Sequence, residues 1–299
     1  MLSTSHEVFL QVAQQKSFSK AAELLYISQP AISKHIKLLE QQYKTKLFER
    51  KGIQIELTVA GKILFDRLLE TKRIQEQTNF DISSIIRDHL QTEGVLKLGA
   101  STTVALYIVP KVLSDFHKQY PNIEISLLNR NTEIVLDALL NKEINLGIIE
   151  EKGKLTNVEY LPFIKDKVVA VCSKKSPLAK RKQYQLKELL QIPLAIRERG
   201  SGTLAILRST LEKQHISMND LNIKVRLGGT EALKNFLIES ECLGFLPQRS
   251  VMKELKYGEL KEVQFNNLHI ERSFYFIQRR GENSNLNKIF IKIARSIYK

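Results

Sequence analysis

The 299-residue sequence has little cysteine: Cys172 and Cys242 stand alone and far apart. That arrangement makes no CxxC, no metal cluster and no disulfide framework. It predicts two buried thiols in a reducing cytoplasm, with a redox pair as the alternative. Long apolar runs are missing too, and no stretch approaches the ~18 residues of a membrane span. The N-terminus shows no basic segment followed by an apolar core and a cleavage site, so a cytoplasmic location is expected. His6, His35, His89, His117, His215 and His269 share no metal-ligand spacing with one another or with the cysteines, so no metal is expected. There is no G-x-x-x-x-G-K-[ST] loop, and "RGSGT" is not a G-x-S-x-G elbow. No catalytic residue and no cofactor is assigned. Internal repeats and low-complexity tracts are absent as well.

What is present is a globular composition, 43% hydrophobic and 26% charged, with enough apolar residues for two or three cored domains. The 46 basic and 32 acidic residues leave +14. A polyanion such as nucleic acid fits that balance, as would an anionic membrane surface or an acidic ligand. Residues 1–92 hold 13 Lys and Arg against 10 Asp and Glu, only +3 of the total. Net charge therefore does not locate a nucleic-acid site; position along a helix face must.

"SKAAELLYISQPAISKHIKLLE" (Ser19–Glu40) reads as two short helices joined by almost nothing. Ser19 and Ser28 are the expected caps, with Pro30 in the first turn of the second helix, where its missing N–H is harmless. Ile32, Ile36, Leu39 and Tyr43 form the expected buried stripe, and Ala21 and Ala22 let the helices cross closely. Gln29, Ser33 and Lys37 share another face, with Lys34 beside them. This is a helix-turn-helix presenting a polar N-terminal face to a DNA major groove. Gln pairs bidentately with adenine, Ser reads base edges, and Lys serves guanine or phosphate. "LFERKGIQIELT" (Leu47–Thr58) predicts a two-stranded wing turning at Lys51-Gly52, its Arg50 and Lys51 suited to phosphates. From Thr58 to about Leu90 runs one helical pattern of roughly 50 Å. Its apolar stripe (Ile63, Leu64, Leu68, Ile74, Ile82, Ile85, Ile86, Leu90) predicts pairing with a second copy, although "ETKRIQEQTN" interrupts the seam.

Ser17–Leu64 resembles the winged helix-turn-helix of LysR-type transcriptional regulators. The resemblance rests on Ser-Phe-Ser-x-Ala-Ala, Ser-Gln-Pro-Ala-Ile-Ser, the Leu-Glu pair, Leu-Phe-x-Arg and Leu-Thr-x-Ala-Gly. It implies that Gln29, Pro30, Ser33, Lys34 and Lys37, capped by Ser28, face DNA, with Arg50 and Lys51 on the flanking backbone. Lys34 and Lys37 depart from the arginines common in the family, and lysine lacks the planar fork. Double-stranded DNA, a small-molecule effector, a homodimer or homotetramer and, for an activator, RNA polymerase are the implied partners; no membrane is.

After Glu93-Gly94 short Val/Ile/Leu runs alternate with helical patterns (Val104–Tyr120, Thr132–Asn141, Leu204–Gln214, Glu231–Glu239), which means βαβ units and a mostly parallel sheet. Three strand-to-helix junctions carry hydroxyls: Ser101, Thr102 and Thr103; Arg197, Ser201 and Thr203 around a Gly-Ser-Gly turn; and Thr230. Ligands in open α/β sheets collect at such strand ends, where helix N-termini favour anions. These seven residues are the expected effector contacts, with Arg197 or Arg130 as counter-charge; ordinary helix capping is the competing reading. Arg-Glu-Arg-Gly-Ser-Gly-Thr resembles the effector domains of sulfur-metabolism and carbon-fixation members.

The resemblance, extended more loosely over the whole chain, implies an α/β architecture with an N-terminal all-α winged helix-turn-helix (1–58), a linker and dimerisation helix (59–92) and a two-lobed, periplasmic-binding-protein-like effector domain (93–299). Lobe one takes 93–167 plus 270–299 and lobe two 168–269, with hinge crossings near Lys167 and Glu271. A solute-binding protein shares the two-lobe fold but would need no N-terminal third. An enzyme with an appended DNA-binding domain lacks a catalytic constellation.

Overall fold

The computed structural model describes residues 2–51, 54–85, 92–150, 153, 155–282 and 284–298. It divides into two units, 1–87 and 88–299.

In the first unit α1 (Thr4–Gln15), α2 (Phe18–Leu25) and α3 (Gln29–Tyr43) precede the antiparallel strands β1 (Phe48–Lys51) and β2 (Gln54–Leu57) and the long α4 (Val59–Ile85). Val8, Phe9, Val12, Ala21, Ala22, Ile32, Ile36, Leu39 and Leu47 form its core. Several motif residues hold this unit together. Glu40 accepts the Leu47 N–H at 3.0 Å and pairs with Lys46 at 2.8 Å. The Phe48 ring meets Phe9 and Phe18 at centroid distances of 5.2 and 5.7 Å. Thr58 Oγ1 donates to the Lys46 carbonyl at 2.7 Å and accepts the Gly61 N–H at 3.0 Å, fixing the start of α4. A Cβ at Gly61 would strike the Leu47 carbonyl, so α4 leaves the wing only past a glycine.

Three expectations change here. Ser17, not Ser19, caps α2, accepting the Lys20 N–H at 3.3 Å; Ser19 lies inside the first turn. Tyr43 is 42% exposed, its hydroxyl drawn out to His6 Nε2 at 3.3 Å, so the buried stripe of α3 stops at Leu39. The stripe on α4 also divides. Leu68 is 6% exposed and packs with Leu64 into the unit's own core, whereas Ile63, Ile74 and Ile82 remain more than half exposed. The wing turn at Gly52 and the stripe positions Ile86 and Leu90 lie outside the described residues, as do the side chains of Arg50, Lys51 and Ile85.

The second unit runs β3 (Gly94–Ser101), α5 (Thr102–Tyr107), α6 (Val109–Gln119), β4 (Ile123–Arg130), α7 (Thr132–Leu140), β5 (Leu146–Glu150), β6 (Val158–Ser173), β7 (Gln183–Tyr184), β8 (Leu194–Arg197) and α8 (Gly202–Glu212). Then come β9 (Ile223–Leu227), α9 (Thr230–Glu239), β10 (Leu243–Pro247), α10 (Gln248–Tyr257), β11 (Leu260–Phe265), β12 (Ile270–Arg279) and α11 (Asn285–Ile297). The single pattern expected over Val104–Tyr120 is two helices, broken at Ile108 because Pro110 opens a new first turn. The strand order is β4-β3-β5-β12-β6-β10-β8-β9, with β11 on β6 and β7 on β11. Pairs β3–β4, β3–β5, β8–β9 and β8–β10 are parallel, while β6 and β12 run antiparallel to their neighbours. These two long strands pass side by side from one lobe to the other, and Lys167 sits opposite Glu271 where they do so. Apolar clusters cover the sheet of lobe two on both faces, and another packs α7 onto lobe one.

Candidate functional site

Two surfaces concentrate the residues singled out in the sequence. On the first, Ser28 caps α3 by accepting the Ala31 N–H at 3.4 Å, and Gln29, Pro30, Ser33, Lys34 and Lys37 are all exposed. Below them Ile32 and Ile36 anchor the helix in the core. His35 is bound to Ser5 Oγ at 2.9 Å, a tie between α3 and α1. The result is a core-anchored helix whose first turn presents a polar face, the arrangement that reads a major groove.

The second surface lies between the lobes of the effector unit. Ser101 ends β3 with its hydroxyl buried and without a hydrogen-bond partner among the described residues, and the Thr103 hydroxyl is in the same condition. Opposite them, Ser201 caps α8. Arg197, only 3% exposed, spans the gap. It donates to Thr102 Oγ1 in lobe one at 3.2 Å and to Thr230 Oγ1 in lobe two at 2.7 Å. It also grips both oxygens of Glu198, at 2.7 and 2.8 Å, and Glu198 accepts the Gly229 N–H at the head of α9 at 3.2 Å. Burial pushes the Glu198 carboxyl up, but the Arg197 guanidinium and the backbone donors outweigh it and hold the group below the usual glutamate range.

A narrow gap remains, too tight for a water, lined by Ser101, Thr102, Asn131, Thr132, Glu150, Arg197, Ser201 and Gly202. Of the seven expected effector contacts, Ser101, Thr102, Arg197 and Ser201 meet there. Thr103, Thr203 and Thr230 do not line it; Thr203 Oγ1 is turned to Arg272 at 2.9 Å and Thr230 to Arg197. Arg130 is exposed and donates to its neighbour's carbonyl, Asn129 O, at 2.9 Å. Arg197 is thus a clasp between lobes already matched by Glu198, more than a free counter-charge.

A second ionic cluster, announced by no motif, lies beside the cavity. Arg272 on β12 donates to Asp166 on β6 at 2.8 and 3.0 Å and to Glu150 at the end of β5 at 3.1 Å. Their side chains are at most 3% exposed. Glu150 also accepts from Thr132 Oγ1 at 2.5 Å. The strands of this cluster carry other charges, among them Lys165, Lys167 and Glu271, so nothing in the local pattern sets Arg272, Asp166 and Glu150 apart. Cys172 and Cys242 are both free; Cys172 is wholly buried, and burial pushes its thiol up to about 11, so it is an inert core group, while Cys242 is half-buried.

Comparison with known proteins follows this division. Residues 4–62 match the bacterial regulatory helix-turn-helix model of the lysR family, and residues 89–298 match the LysR substrate binding domain. The transcriptional regulator CysL of Bacillus subtilis is 30% identical over 98% of this chain and 96% of its own. The regulatory domain of Synechocystis PCC6803 CcmR, solved in complex with 2-PG, is 25% identical and covers 69% of this chain and 98% of that one, with a TM-score of 0.63. Full-length CbnR, solved with its target DNA, shares the fold over 99% of both chains at a TM-score of 0.69 and 17% identity. Two family models that together span both units, and a full-length relative, place the chain among the LysR-type transcriptional regulators, with a DNA-binding and an effector-binding domain.

Proposed function

We propose that this cytoplasmic regulator reads its operator through Gln29, Ser33 and Lys37. Ser28, Pro30 and Lys34 support that face, and Arg50 and Lys51 hold the flanking phosphates. It does so as a homodimer or a dimer of dimers joined along α4, contacts RNA polymerase where it activates, and does not turn its effector over. The effector is a small acid held between the lobes by Ser101, Thr102, Ser201 and Arg197; among relatives, the CcmR regulatory domain was solved in complex with 2-PG. The observation that carries this reading is the orphaned Ser101 hydroxyl, buried and facing the N-terminus of α8 across a cavity. Buried polar groups without partners are rare and need a reason. A ligand alters DNA binding only if it prefers one lobe arrangement, which a site built from both lobes provides.

Binding-site selection with Gln29→Ala tests the DNA half: preference should fall by about 1–3 kcal/mol at one or two base positions. An unchanged preference would remove Gln29 from the reading.

A further inference from the structure

We infer that the effector is a small acid bearing a hydrogen-bond donor, a hydroxyl or an ammonium, on the carbon next to its acid group, and that Glu150 selects it. The inference rests on the inter-lobe cavity being the effector site. It adds which ligands that site refuses.

The cavity is lopsided. One side offers donors: the N-terminal turn of α8 behind Ser201 and Gly202, and the unpartnered Ser101 hydroxyl. Those groups suit an acid. Another side is the Glu150 carboxylate, which lies so close to the first turn of α8 that a Cβ added at Gly202 would sit 2.6 Å from its Oε2. An ionised carboxylate only accepts, and its two oxygens have about four acceptor positions. Arg272 Nη1 takes one on Oε1 and the Thr132 hydroxyl one on Oε2. Acceptor capacity is therefore left facing a space that also attracts anions.

An ion made only of acceptors, such as sulfate or acetate, would be drawn by the donors and would set lone pairs against Glu150. A 2-hydroxy or 2-amino acid satisfies both sides, its acid group on the donors and its own donor on Glu150. The gap is too tight in this arrangement to hold a water, so a two- or three-carbon acid enters only as the lobes part. Arg272 does not relieve the selection, because it divides itself between Glu150 and two contacts to Asp166.

The test is calorimetric titration of the full chain with glycolate and L-lactate, with glycine and L-alanine, and with acetate and sulfate. One of the donor-bearing pairs should bind at least about tenfold more tightly than both donor-less ions, the factor a hydrogen bond to a charged group carries. The hydroxy and amino pairs separate the two sources of the donor. Glu150→Gln, whose amide both donates and accepts, should narrow that ratio to within about threefold. Should that variant fail to fold, the ratio in the unsubstituted protein decides alone. Acetate or sulfate binding as tightly as the hydroxy and amino acids would overturn the role of Glu150 and leave the cavity standing as an anion site. Binding of no probe at all would overturn the cavity reading, and this inference with it.

Discussion

Replacing Arg272 by methionine would keep most of the side chain's apolar length and remove its charge. Glu150 and Asp166, 3% and 2% exposed as side chains, would then face each other with their shared cation gone. Arg249 Nε, 3.5 Å from Asp166 and itself partly exposed, offers only a distant substitute. Breaking a buried pair by deleting one partner costs about 3–5 kcal/mol, because the stranded charge keeps its desolvation penalty. For a unit of this size about 1 kcal/mol moves the melting midpoint by ~2–4 °C, so a loss of roughly 6–20 °C is expected. Circular dichroism of the full chain reads the midpoint, and amide exchange places the loss on β5, β6 and β12. The triple variant Arg272→Met, Glu150→Gln, Asp166→Asn has no stranded charge and should recover most of the loss. Arg272→Lys should fall between, since an ammonium cannot fork to two carboxylates and Thr203 at once. A loss below about 1 kcal/mol in Arg272→Met, or no recovery in the triple variant, would refute the claim that this cluster fastens the lobe crossing.

Local chemistry made the first unit legible. The serine cap, the proline in the first turn, the alanines at the crossing and the wing each act within a few residues, and the same short motifs turn out to be caps and packing contacts around Leu47 and Gly61. Pattern could not name a partner, however. An apolar stripe on α4 looks the same whether its leucines meet a second copy or, as for Leu64 and Leu68, the unit's own core. In the effector unit the strand ends were readable and the crossing was not. The first half of β6 is interrupted by Pro162, which argues against a paired strand, yet it pairs opposite Tyr275, next to a bulge in the β6–β12 ladder. Arg272 lies 106 positions from Asp166 and 122 from Glu150. No periodicity spans such distances; only the fold brings the charges together. Arg197 read in the sequence as either an anion's counter-charge or an ion-pair partner; its pairing with the neighbouring Glu198 is local, and only the fold brings it to Thr102, 95 positions away.

Two further outcomes follow from individual side chains. Leu68→Asp should unfold the DNA-binding unit, because it puts a charge into a core position 6% exposed, whereas Ile63→Asp with Ile82→Asp should leave that unit folded and weaken self-association. Light scattering alongside circular dichroism separates the two, and a folded, monomeric Leu68→Asp variant would return that residue to the seam. The last concerns acid. Since the folded state holds the Glu198 carboxyl below its ordinary value, its contribution is complete above the unfolded glutamate pKa of about 4.3 and is lost as pH falls through the lowered folded one. Protonation there frees one side of Arg197, the guanidinium that joins Thr102 to Thr230, so acid should loosen the lobes before it melts the sheet. Denaturation midpoints measured from pH 6 down to roughly pH 3 should fall less steeply in Glu198→Gln than in the unsubstituted chain, because the glutamine has no proton to take up in that window. Parallel acid limbs in the two proteins would mean that Glu198 carries no folding free energy and that the Arg197 clasp holds without it.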